Sequence, residues 1–117
     1  MIESSKKVKP WRQAVEAAAV EAKSGAAALD GPLILTILFW LAAPTSLSRK
    51  KLAMGPYRKP DLSKLVRSTE DALVTAGAIA DDARIVELHV EKRFVPPGGH
   101  CGAEIVIAVN HPLMEGC

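Results

Sequence analysis

Cysteine is scarce. Cys101 and Cys117 are the only two in 117 residues. They form no Cys-x-x-Cys pair and have no His/Cys cluster at zinc-ligand spacing nearby, which argues against a zinc module. They read as two reduced thiols of a cytoplasmic protein. The opening Met-Ile-Glu-Ser-Ser-Lys-Lys lacks the apolar stretch of a signal peptide. The strongest apolar run, Leu33 to Ala43, is too short for a bilayer, which needs roughly 20 residues. There is no internal repeat and no low-complexity tract. A large net charge is missing too: the formal value is +2. The sum therefore does not argue for a nucleic-acid partner, but placement carries more information than the sum. Arg49, Lys50, Lys51, Arg58 and Lys59 crowd into one short stretch, while Asp81, Asp82, Glu87 and Glu91 follow later.

What is present suits one globular domain spanning 1–117. Hydrophobic residues make up 49% and charged residues 24%, which excludes a disordered chain. Trp11 to Lys23 reads as a helix rich in Ala with interspersed Glu and Gln, preceded by Pro10. Gly25 and Asp30-Gly31-Pro32 end it. Leu33 to Leu41 is continuously apolar and reads as a central strand covered on both faces. Ala42 to Pro60 has no sustained period and reads as a mobile loop. From Asp61 to Ala76, apolar residues recur at three- and four-residue steps, the pattern of an amphipathic helix. Gly77 stands where a left-handed residue closes such a helix.

Two strands complete the chain. In the first, Val86, Leu88, Val90 and Phe94 point one way; Glu87, His89, Glu91 and Arg93 point the other. In the second, Ala103, Ile105, Ile107 and Val109 share a face. Pro96-Pro97-Gly98-Gly99 lies between, so the pair reads as a hairpin with a longer loop. The implied fold class is α/β, a small mixed sheet packed with two helices.

Asp61 opens the amphipathic helix, and Asp82 precedes the next strand. A helix laid across a sheet can bring its start near the beginning of an adjacent strand, so these carboxylates could converge beside the basic segment. Hard oxygen ligands with nearby cations suit a magnesium-dependent phosphodiesterase. A helix-capping Asp61 and a turn-forming Asp81-Asp82 pair account for the same residues without any metal. His89 faces outward between Glu87 and Glu91, and His100 and His111 lie in or beside turns, so none reads as a metal ligand. Trp11 and Trp40 read as core residues in preference to base-stacking platforms.

The stretch KPDLSKLVRSTEDALVTAGAIADDARIVELHVEKRF, residues 59–94, resembles the centre of the RusA family of Holliday junction resolvases. Asp61 matches the first Asp of the family's Asp-x-Asp at a helix start. Arg67 falls where the family has an active-site lysine. Asp71-Ala72-Leu73, Gly77 and Asp81-Asp82 keep the family spacing, and Lys92 ends the matching strand. The likeness continues more weakly through Gly98-Gly99 into the last strand. Upstream, Val8-Lys9-Pro10-Trp11-Arg12 and the basic segment are similar to actinobacterial and phage members.

The resemblance implies a magnesium-dependent endonuclease that resolves four-way DNA junctions as a homodimer. It implies Asp61 and Asp82 as metal ligands, with Asp81 a neighbour of less definite role. Arg67 becomes the catalytic cation. The basic residues Arg49, Lys50, Lys51, Arg58 and Lys59, with Tyr57 and Met54 among them, read either as a solvated surface segment or as phosphate contacts that probe the junction centre; the segment leads straight into Asp61, which favours DNA contact there and at Lys64. Two departures matter. Ser63 stands where the family has its second Asp, and a hydroxyl is a much poorer magnesium ligand than a carboxylate. Glu70, two helical turns further on, is too far from that position to replace it. The chain also begins almost at the first helix, without the family's initial strand, as a late-assigned start or a truncated gene would. The alternatives are therefore a junction-binding remnant with an impaired metal site, and a non-enzymatic dimerising α/β domain.

Overall fold

The computed structural model describes residues 2–110. Helix α1 spans Ile2–Lys23, strand β1 Leu33–Leu41, helix α2 Arg49–Met54 and helix α3 Leu62–Thr75. A 3-10 turn at Asp82–Arg84 leads into β2, Ile85–Phe94, and β3 is Gly102–Val109. The architecture is an α/β three-stranded mixed sheet with two main helices. No helix among the described residues is long and apolar enough to cross a membrane.

The sheet order is β2-β1-β3. β1 runs parallel to β2 and antiparallel to β3. A parallel neighbour requires a crossover connection, and α3 supplies it. Leu33, Leu35, Ile37 and Phe39 alternate along β1 and are buried against Val15 of α1 and Leu65, Val66, Ala72 and Leu73 of α3. Trp11 joins the three layers. Its ring lies 5.5 Å from Phe39 at a tilted angle, and its Nε1 donates to Thr69 Oγ1 at 3.2 Å. The Thr69 hydroxyl in turn donates to the Leu65 carbonyl at 2.8 Å. A fully buried threonine is thereby satisfied.

Several expectations change. The last two strands form no hairpin; each pairs with β1 instead. β1 is apolar on both faces, which favours a neighbour on each edge. The segment from Val95 to Cys101 carries the chain past the end of β1. Nor, among the described residues, is β1 covered on both faces. Both main helices contribute to the core on one side, and on the other Thr36 is exposed while Ile34, Leu38 and Trp40 are half-buried. Val86 also departs from its expected face. The β1–β2 register shifts between Leu33 and Ile34, and Val86, opposite that shift, is left exposed.

The segment 42–60 is not wholly irregular, since it contains α2. Ser48 caps this helix by accepting from Lys51 N at 3.3 Å, and Gly55 closes it with its N–H on Leu52 O at 3.2 Å. So short a helix, with no buried residue, shows no apolar period. α1 begins far upstream of Trp11 and passes through Pro10, which can donate no backbone hydrogen bond. His111 and Cys117 lie outside the described residues.

The end of α3 follows the expected pattern. Gly77 has φ +75°. Its N–H reaches Val74 O at 3.0 Å, and Ala78 N reaches Leu73 O at 2.9 Å, the paired bonds of a Schellman motif. The next residues tie two connections together: Leu29 N donates to Ala78 O and Ala80 N to Leu29 O, both at 2.9 Å. A Cβ on Gly77 would also lie 2.9 Å from Lys23 Nζ, a flexible end that can move aside. Gly77→Ala is therefore expected to lower stability by roughly 1–2 kcal/mol, the cost of left-handed backbone for a residue with Cβ. Urea unfolding of both proteins checks this.

Candidate active site

β1 and β2 are parallel and end on the same side of the molecule. In open α/β sheets the crevice beyond the carboxyl ends of parallel strands is the usual ligand site. Here that end carries the basic segment and the start of α3. Lys92, near the end of β2, donates from Nζ to Arg58 O at 2.7 Å and to Pro60 O at 2.9 Å. One ammonium thus fixes the backbone on both sides of Lys59 and sets where α3 begins. Arg49, Lys50, Lys51, Arg58 and Lys59 are all exposed here.

Asp61 occupies the N-cap position of α3, but its side chain makes no capping hydrogen bond. Its backbone carbonyl accepts from Leu65 N at 3.1 Å. The carboxylate is exposed and uncommitted to the helix, so capping does not explain it. Ser63, Lys64 and Arg67 are also exposed, while Leu65 and Val66 turn into the core. Ser63 and Arg67 are four residues apart and therefore share one face of α3.

The other acidic pair divides its roles. Asp81 caps the 3-10 turn, its Oδ1 accepting from Ala83 N at 3.3 Å. That bond, followed by one from Asp82, holds the Asp81 carboxyl below its ordinary range. Asp82 is pushed the other way, first by the hydrogen bond it shares with Asp81, then by desolvation and the charges of Asp81 and Asp71. Glu70 is raised as well, chiefly by burial, then by the charge of Asp82; Arg67 works against this and Asp71 adds to it. Glu70, Asp71, Asp81 and Asp82 therefore form one patch of negative potential, with Arg67 beside it. Sequence spacing separates Glu70 from Ser63 and carries no information on its neighbours across the fold. Its neighbour is Asp82, a contact that depends on how the 3-10 turn packs against α3.

The start of α3 lies beside the end of β2, not its beginning, so Asp61 and Asp82 stand apart within one chain. The rise along α3 from Asp61 to Glu70, where Asp82 lies, is about 14 Å. Ligands of one magnesium ion sit about 2 Å from it. Among the described residues, no three His, Cys, Asp or Glu side chains are grouped to hold a metal. The donors are of the right chemical kind, but a single chain does not assemble them into one cage. His89 is exposed and paired with Glu87 at 2.5 Å, and Cys101 is free and exposed.

A protein-family model described as endodeoxyribonuclease RusA matches residues 2–108. The chain belongs to the RusA family. No curated protein matches it significantly. Membership makes it an endodeoxyribonuclease-family protein, and branched DNA is the substrate that the family implies. Asp61, with no capping bond, and Asp82, hydrogen-bonded to Asp81, are the carboxylates that the resemblance singles out.

Two measurements probe this arrangement. Glu70 has a raised pKa in the fold, so its favourable contribution is complete in acid and disappears as pH rises through its titration. Glu70→Gln should therefore melt at a higher temperature than the parent near neutral pH, with the gap closing in acid. Lys92→Met removes two charge-assisted hydrogen bonds and should cost on the order of 1–3 kcal/mol. Amide exchange should quicken at Leu65, whose N–H is held by Asp61 O, before it does in the middle of α3.

Proposed function

We propose that this RusA-family protein is a structure-selective endonuclease that nicks four-way DNA junctions as a single-domain homodimer. The observation that carries this reading is Asp61: an exposed carboxylate at a helix start that leaves the helix uncapped, next to a basic segment, inside a chain of this family. Arg49, Lys50, Lys51, Arg58, Lys59 and Lys64 grip phosphates in a salt-sensitive, sequence-tolerant way. Asp61 and Asp82, with Asp81 beside it, are the residues that would hold magnesium, which would supply an activated water and charge neutralisation at the phosphate. Arg67 stabilises charge that develops on the phosphodiester oxygens.

The separation of Asp61 from Asp82 within one chain makes the dimer part of the chemistry. Two-fold symmetry can bring Asp61 of one copy toward the 3-10 turn of the other and creates two equivalent sites, one for each of two opposing strands. Ser63 leaves each site one carboxylate short of the family pattern, so metal binding is weak and cutting slow.

The test uses four-way junctions and linear duplex, with affinity read without metal and nicking read with magnesium. Junction should bind more tightly than duplex, and both affinities should fall as salt rises. Ser63→Asp should increase nicking. Asp61→Asn and Asp82→Asn should each abolish it without weakening junction binding, because each removes negative charge facing phosphate. Mixing the two dead variants should restore cutting at one site per dimer. Equal affinity for junction and duplex would count against the whole reading. No rescue on mixing, with heterodimers verified, would place each site within one chain.

A further inference from the structure

Beyond the carboxyl ends of β1 and β2, the strand ends, the segment after α2 and the start of α3 enclose a cavity of about 430 Å³. This lies within the range of small-molecule sites, roughly 300–1,000 Å³. The chain has only two Trp, two Phe and one Tyr. All but Phe39 line this one cavity: Trp11, Trp40, Tyr57 and Phe94. Trp11 also packs against the mostly aliphatic core, but Trp40, Tyr57 and Phe94 are not part of it, so the core does not account for the concentration.

The rest of the lining is equally one-sided. Arg58 and Lys59 contribute to it, and among the described residues no Asp or Glu does. The Arg58 guanidinium lies 5.7 Å from the centre of the Tyr57 ring, a cation–π contact. Lys92 holds the Arg58 and Pro60 carbonyls, so this wall is anchored and not a free loop. Asp61 follows directly on Pro60. An aromatic-walled cavity with cations and without carboxylates suits a flat ring carried on an anionic backbone. Nucleic-acid-binding proteins hold unstacked bases in this way.

We propose that this cavity receives one unstacked nucleobase from the branch point of bound DNA, placing the adjoining phosphate near Asp61. The proposal rests on the DNA-binding reading above. It adds a base-binding site whose stacking energy favours branched over fully paired DNA, because a base at a branch point costs less to unstack than one inside a duplex.

The experiment places 2-aminopurine at each branch-point position of a four-way junction in turn, without metal. Its fluorescence is followed together with binding anisotropy. At one position or more, the signal should change when the protein binds. Tyr57→Ala removes a wall, and Ala42→Phe adds bulk to the lining. Both residues are exposed, so neither change disturbs the core. Each should abolish the fluorescence change and weaken junction binding by roughly 5- to 150-fold, the range for loss of one base–aromatic stack. Tyr57→Phe should retain both. Tight junction binding with no fluorescence change at any position, or a change that survives both variants, overturns the base site and leaves the DNA-binding reading intact. Failure to bind the junction at all overturns that reading and the base site with it.

Discussion

A strand that is apolar on both faces is poorly suited to a sheet edge, because an edge leaves a ladder of backbone groups and one flank of its side chains in water. Leu33–Leu41 is that strand, and its central position organises the molecule. With β1 in the middle, the next long strand has to pair with it. β2 does so in parallel, and a parallel partner requires a helical crossover. α3 is that crossover, so it runs back along the sheet and begins beside the carboxyl ends of β1 and β2. The Lys92 ammonium then fixes the start of α3 through the carbonyls of Arg58 and Pro60. The basic segment, Asp61 and the aromatic cavity share one end of the protein because β1 is central.

The same topology explains which parts were legible beforehand. Local features were readable where one residue type has one physical use. The αL glycine at 77, the amphipathic stripe of α3 and the alternation in β3 all appear in the structure as their patterns predict. Strand pairing was not readable from spacing. Pro96-Pro97-Gly98-Gly99 has the composition of a hairpin turn, yet the competition for the edges of β1 outweighs the short loop. Continuous apolarity in β1 announced a central strand, but not how many faces would be covered, since that depends on how many helices the chain supplies. α2 leaves no periodic trace in the sequence because it is short and buries no residue.

The candidate site was legible as residue types and not as geometry. Residue type and placement already point to Asp61 and Asp82, and the resemblance adds Arg67; the structure adds the local setting of the two aspartates. Asp61 sits where a cap belongs and does not cap, whereas Asp81 takes the capping role beside Asp82. Their convergence, expected from a helix crossing a sheet, depended on the direction of α3 relative to β2. That direction follows from the parallel pairing, a long-range fact that no local pattern carries.

Ser63 becomes intelligible in this electrostatic setting. Asp82 lies in a patch where Glu70, Asp71 and Asp81 already raise the cost of negative charge. At the far end of the same helix flank, Asp61 stands among exposed cations. Serine in place of a second carboxylate there leaves the α3 start more positive and better matched to a phosphate, but poorer in hard anionic ligands. The two demands of a phosphodiesterase oppose each other at this position: gripping the backbone favours less negative charge, and holding a divalent cation favours more. Ser63 adds no negative charge to the exposed start of α3. The negative patch around Asp82 lies toward the other end of the helix, with Arg67 on the face between the two.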